Sequence, residues 1–129
     1  DVVVITGGSG GIGSALRREL RERGAKVINL DISIDPKDPD DIECDILNAE
    51  SVKSAMDIIG AQKITILINN AGRYNGENFA ESEKCRFEAT IALNFFGAVN
   101  LTRMLLSNLQ NSAISDQKSV IVNIGSCLG

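Results

Sequence analysis

An eight-residue run, Thr6-Gly7-Gly8-Ser9-Gly10-Gly11-Ile12-Gly13, follows the apolar stretch Val2 to Ile5 and opens a helical pattern. Glycines without Cβ atoms let the chain take positive φ and bring backbone N–H groups close to a phosphate. The helix that begins here adds its partly positive N-terminus. The run is therefore a small anion site at a strand–helix junction, a usual place for a nucleotide's phosphates. Its letters fit Gly8-x-Gly10-x-x-Gly13, Thr6-Gly7-x-x-Gly10-x-x-Gly13 and Thr6-Gly7-x-x-x-Gly11-x-Gly13 equally well. Alone, it leaves the choice among them open, along with a ligand-free glycine turn.

The rest of the chain supplies the context. Short apolar runs recur at Val2 to Ile5, Lys26 to Leu30, Ile42 to Cys44, Ile64 to Ile68 and Val120 to Ile124, and they read as strands buried on both faces. Helical periodicity lies between them. A first helix over about Gly11 to Arg23 puts Ile12, Ala15, Leu16 and Leu20 on one side and stops at Gly24. The segment from Ile32 to Asp41 holds both prolines and four aspartates without helical spacing, so a loop is expected to join strands two and three. Asn48 or Ser51 can cap a helix running to about Gly60. A long helix is expected from about Ser82 to Leu109, with Phe87, Ile91, Phe95, Ala98, Thr102, Leu105 and Leu109 as a stripe suited to core or subunit contact. Alternating strands and helices imply a parallel sheet with right-handed crossovers.

With 129 residues and 43% apolar content, the chain amounts to about one domain. Its net charge of −4 and lack of a long basic run give no electrostatic footprint for nucleic acid or an anionic membrane. Arg17, Arg18, Arg21 and Arg23 cluster on the first helix near Glu19 and Glu22 and read as a solvated face. The three cysteines are widely spaced and odd in number, which fits a reduced intracellular, cytoplasmic setting; a membrane anchor before Asp1 stays open. Without histidine, the chain cannot by itself build a Ser-His-Asp hydrolase or a His-ligated zinc site, and no metal site is expected. No apolar run reaches the roughly 18 to 20 residues that span a bilayer.

Asp31 ends the second strand 18 residues after Gly13, close to the spacing at which an acidic residue meets an adenosine ribose. A carboxylate there accepts from the ribose hydroxyls and repels a 2′-phosphate, and neither Gly10 nor Ile32 and Ser33 offers a cation to receive one. NAD is accordingly expected over NADP.

Further motifs come in order along the chain: Cys44-Asp45-Ile46, Asn69-Asn70-Ala71-Gly72 after the fourth strand, Asn94 in the long helix, and Asn123-Ile124-Gly125-Ser126 after the fifth. With them the chain resembles the short-chain dehydrogenase/reductase family along essentially its whole length. The Asn-Asn-Ala-Gly run selects the template with Gly7, Gly11 and Gly13. The resemblance implies an α/β, Rossmann-type, doubly wound parallel sheet, here cut short after the fifth strand.

It also implies that Gly7, Ser9, Gly10, Gly11, Ile12 and Gly13 surround a pyrophosphate, with Asp31 on the adenosine ribose. Asp45 and Ile46 would flank the adenine, and Asn70, Ala71 and Gly72 would pass beside the middle of the cofactor, with Asn69 binding neighbouring strands together. Asn94 would support a proton-relay water and Ser126 would polarise the oxygen of an alcohol or carbonyl substrate. Cys127 is expected to pack as a small residue. Relatives use the long apolar helix for subunit contacts, so a homo-oligomer is implied too.

The family's Tyr-x-x-x-Lys motif does not occur: Tyr74 precedes the serine, and Asn78 stands at the lysine spacing. The chain therefore reads as part of a longer protein, inactive by itself. An NAD-binding or regulatory module without chemistry is the alternative; a methyltransferase would share the glycine loop but leave Ser126 and the Asn-Asn-Ala-Gly run without a role.

Overall fold

The computed structural model describes residues 1–74, 76, 80, 83–113 and 118–126. Cys127, Asn78 and the expected helix start at Ser82 lie outside the described residues. Five strands, β1 (Val2–Thr6), β2 (Lys26–Asp31), β3 (Asp41–Glu43), β4 (Ile66–Asn69) and β5 (Val120–Asn123), form one parallel sheet in the order β3-β2-β1-β4-β5. Between them run α1 (Gly11–Glu22), α2 (Ala49–Ile59), α3 (Lys84–Ile91), a π-helical segment (Ala92–Gly97), α4 (Ala98–Met104) and α5 (Leu106–Ala113). The order reverses between β1 and β4, the switch point beside which open α/β sheets place ligands.

Side chains alternate across β1 and divide the core. Val4 joins Ile28, Leu30 and Leu67 under α2, α4 and α5, which contribute Val52, Ala55, Ile59, Leu101, Leu105 and Leu109. Val3 and Ile5 join Val27 and Ile68 on the opposite face, against Leu16 and Leu20 of α1. Strands β1, β2 and β4 are thus covered from both sides, as doubly wound folds require. Strand β5, expected from its apolar run to be buried on both faces, is instead exposed at every residue, because it lies at the sheet edge with one neighbour, β4. Asn48 is the cap of α2, accepting from the N–H groups of Glu50 and Ser51, while the Ser51 hydroxyl accepts from Asp45 N–H. Gly24, at φ +81°, follows the end of α1.

Three further expectations need correction. The long helix is interrupted at Ala92–Gly97, where the π geometry inserts a residue and rotates the preceding turns by about 100° relative to the turns after it. Leu101, Leu105 and Leu109 are buried, whereas Phe87, Ile91 and Phe95 are exposed at 48%, 39% and 56% and form no continuous stripe with them. Ile12 and Ala15 do not pack in the core: both are exposed, and of that side of α1 only Leu16 and Leu20 lie against the sheet.

The third correction concerns α1's arginines. Arg23 pairs with Glu19 at the expected spacing, but Arg17 and Arg21 cross to the β2–β3 loop. Arg21 holds both oxygens of Asp38, at 2.5 and 3.1 Å, and Arg17 reaches Asp38 at 2.9 Å and also Asp41. These acids take the place of a crossover helix in fixing the loop.

The Arg21 guanidinium hydrogen-bonded to Asp38 holds that carboxyl below the usual carboxylate range, with help from Asp40 N–H and Arg17. A depressed folded value means the pairing contributes stability above the unfolded carboxylate range and loses it as pH falls through the folded value. Thermal melts of wild type and Asp38→Asn are therefore expected to differ at neutral pH and converge on acidification. A constant offset at every pH would contradict this.

Candidate functional site

The glycine loop leaves the end of β1 and enters α1. Gly7 takes φ +66°, and a Cβ there would sit 2.9 Å from Ala71 Cα, so the loop packs directly on the backbone after β4. Thr6 Oγ1 accepts from the N–H groups of Asn70 and Ala71 at 3.0 and 2.9 Å, and Asn70 Nδ2 donates to Thr6 O and Gly7 O. The Asn70 side chain is thus committed to shaping the loop, and its backbone faces the cleft beyond. Gly10 N-caps α1 with no side-chain hydrogen bond, and the first turn carries no acidic residue. The contrast with α2, capped by Asn48 and carrying Glu50, is the contrast between a helix start open to an anion and one already satisfied.

Asp31 stands at the C-terminal end of β2 beside this loop. Its Oδ2 accepts from Ser9 N–H at 2.9 Å and its Oδ1 from Ser33 N–H at 3.0 Å. A carboxylate offers about four lone-pair directions, so both oxygens keep capacity for a ligand's hydroxyls. The Ser9 hydroxyl donates to Ser33 O, which puts Ser9 at the Asp31 end of the loop.

Sequence reasoning missed Asn29, a fully buried polar residue within the apolar second strand. It accepts from Gly8 N–H at 2.8 Å and donates to Ser9 Oγ at 3.2 Å. The available signal was a polar side chain inside a doubly covered strand, which must find partners.

A second region opens on the far side of the loop. A cleft of about 1380 Å³ runs from Ile12 and Asn70 past Ala71 and Gly72 to Asn94, Asn123 and Ser126. Asn94 lies in the π-helical segment, a geometry that frequently marks functional sites. Its Oδ1 accepts from Arg73 N–H and its Nδ2 donates to Arg73 O, both at 2.9 Å, which pins the loop after β4. Asn69 donates to Asn123 Oδ1 at 2.8 Å and Thr102 Oγ1 at 3.2 Å, joining β4, β5 and α4 as a structural residue. Ile124 N–H donates to Asn69 O, carrying the β4–β5 pairing one residue further toward Ser126.

Asp45 and Ile46 follow β3. Asp45 is exposed and accepts from Leu47 N–H. The Ile46 side chain is buried in the main core, so close to Gly97 that a Cβ there would lie 2.7 Å from Ile46 Cδ1. This leaves the backbone of Ile46 as the part available to a ligand. Burial pushes the Cys44 thiol up, keeping it protonated. Among the described residues, no group of acidic or cysteine side chains is arranged to hold a metal, and no helix is long and apolar enough to cross a membrane.

Comparison with known proteins agrees with this fold. A sequence model of the short chain dehydrogenase family matches residues 1–129. The uncharacterized oxidoreductase YDL114W of Saccharomyces cerevisiae is 32% identical over 98% of this chain and 42% of its own length. Ligand-free aldohexose dehydrogenase from Thermoplasma acidophilum superposes with a TM-score of 0.85 at 33% identity, over 98% of this chain and 49% of that one. A short chain dehydrogenase from Leptospira borgpetersenii, solved with bound NAD+, gives 0.80 at 31% identity over 98% and 51%. The chain spans about half the length of the relatives it matches. A match along the whole chain, joined to the fold these solved relatives share, makes this chain a member of the short-chain dehydrogenase/reductase family.

Proposed function

We propose that the chain is the NAD-binding portion of a dehydrogenase that moves hydride between a nicotinamide and an alcohol or carbonyl carbon of a small molecule. The observation that carries this reading is the Asp31 carboxylate, held at the end of β2 by two N–H groups beside an uncapped helix start. A dinucleotide fits that pair of features: the helix start suits its pyrophosphate, and the carboxylate suits the two hydroxyls of an unphosphorylated ribose.

Within this reading, Gly7, Gly10, Gly11, Ile12 and Gly13 line the pyrophosphate position, and Ser9 and Asp31 the adenosine ribose. Asp45 and the Ile46 backbone lie toward the adenine. Ala71 and Gly72 border the path into the cleft, with Asn70 holding the loop's shape behind them. The bound nicotinamide would supply or accept the hydride. Ser126 then donates to the substrate oxygen, where negative charge grows as a carbonyl is reduced. Asn94 holds Arg73's backbone and, lining the same cleft as Ser126, supports a proton-relay water.

Fluorescence titration with NADH and NADPH tests the assignment. Asp31→Ala is expected to weaken NADH binding roughly 10- to 100-fold, the loss of about 1.5 to 3 kcal/mol of charged hydrogen bonding. Tighter binding of NADPH than NADH by the unmodified protein would overturn the choice of cofactor.

A further inference from the structure

We propose that Arg17 is a positioning residue for the adenosine end of the cofactor, joining the glycine loop to the β2–β3 loop so that Ser9 N–H and the Asp31 carboxylate keep a fixed separation. The proposal rests on the NAD-binding reading above.

Arg17 sits on α1 with its side chain only 13% exposed. Its guanidinium donates in three directions, to Asp38, to the fully buried side chain of Asp41, and at 3.4 Å to Gly8 O. Asp41 begins β3 and its other oxygen accepts from Asp35 N–H, so Arg17 grips both ends of the loop's second half. On the other side it abuts the glycine loop, where a Cβ on Gly8 would lie 2.7 Å from Arg17 Cδ and 2.3 Å from Asn29 Oδ1. Gly8 is thus held between Arg17 and Asn29. Asn29 passes the constraint on to Ser9 Oγ, and Ser9 reaches both Ser33 O and Asp31.

The two loops that would enclose an adenosine ribose are therefore joined at each side. At one side Ser9 touches Ser33 and Asp31. At the other Arg17 ties Gly8 to Asp38 and Asp41. Arg21 secures Asp38 independently through a two-pronged pair and Val27 O. A lysine offers one compact charge and cannot span three acceptors as a planar guanidinium does. Arg17 touches no substrate in this arrangement; its effect runs through the shape of the ribose pocket.

The test is calorimetric titration of the full-length protein with ADP-ribose and with 2′-phospho-ADP-ribose. Arg17→Met is expected to weaken ADP-ribose binding about tenfold and to narrow its preference over the 2′-phosphate form, with Arg17→Lys recovering part of both. Leu105→Ala, in the core below α4, is expected to lower the melting temperature without changing either affinity. A folded Arg17→Met protein that binds ADP-ribose within about twofold of wild type and keeps the same preference overturns the proposal. Where Arg17→Met does not fold, Asp38→Asn loosens the same junction from the loop side, and unchanged ADP-ribose affinity in that variant overturns it equally. Failure of the unmodified protein to bind ADP-ribose would instead remove the NAD-binding reading itself.

Discussion

Replacing Ser126 with alanine in the full-length protein is expected to lower kcat by roughly 10²- to 10³-fold while leaving NADH affinity within about twofold. The expectation comes from where the fold delivers the residue. Strand β5 pairs with β4 in register from Val120 opposite Ile66 to Asn123 opposite Asn69, and Ile124 N–H continues the ladder onto Asn69 O. Ser126 therefore emerges just beyond the carboxyl end of the sheet, in the same cleft as Asn94 and Gly72. A hydroxyl there can donate to an oxygen gaining charge in the transition state, an interaction stronger than in the ground state, so its loss appears in kcat. Steady-state kinetics with a titration of NADH separates the two quantities. A kcat within about fivefold of wild type would remove Ser126 from the oxygen-polarising role.

The second large effect concerns Gly13. A Cβ at this position would stand 2.2 Å from Gly7 O, 2.7 Å from Gly8 Cα and 2.9 Å from Asn70 Nδ2. Two of these are backbone atoms of the loop itself, so Gly13→Ala must displace the glycine loop and not merely rotate a side chain. Loss of about 1 to 3 kcal/mol of stability is expected from overpacking, with NADH affinity falling roughly 100-fold or more as the loop opens. Gly11→Ala provides the contrast, because nothing lies within 4 Å of its Cβ position. It should melt like wild type, and any affinity it loses, about tenfold if a pyrophosphate passes over it, reports on the ligand alone. Equal melting temperatures and equal NADH affinities for Gly13→Ala and wild type would mean that the loop relaxes without cost.

Much of the frame that holds these residues is legible in the order of the amino acids. The five apolar runs form five parallel strands, and those of β1, β2 and β4 are covered on both faces as such uninterrupted aliphatic runs ordinarily are, while the equally apolar β5 stays exposed at the sheet edge. The proline- and aspartate-rich stretch between β2 and β3 is a loop, as its lack of periodicity requires. Asn69 reads as a link between strands, and it bonds to Asn123 of β5. Spacing could not show that a π-helical segment would divide the apolar positions of the long helix. One residue of extra phase leaves the composition unchanged while turning Phe87, Ile91 and Phe95 away from the core. Nor could local spacing show where Arg17 and Arg21 go: they stand at i,i+4 to each other with no acid at that spacing from either, and the acids they pair with, Asp38 and Asp41, are about 20 residues away and brought near only by the folded chain.

The linear chain by itself determined the alternation of strand and helix, the glycine turn after β1 and the acidic end of β2, because these depend on backbone freedom, side-chain polarity and short spacing. The tertiary structure alone decided that Asn70 braces the glycine loop from β4, that Asn29 joins that loop to β2, and that Asn94 reaches Arg73 across the cleft. Each is a hydrogen bond between residues 21 to 64 positions apart, made only once packing of the sheet and helices has brought the groups within about 3 Å of one another.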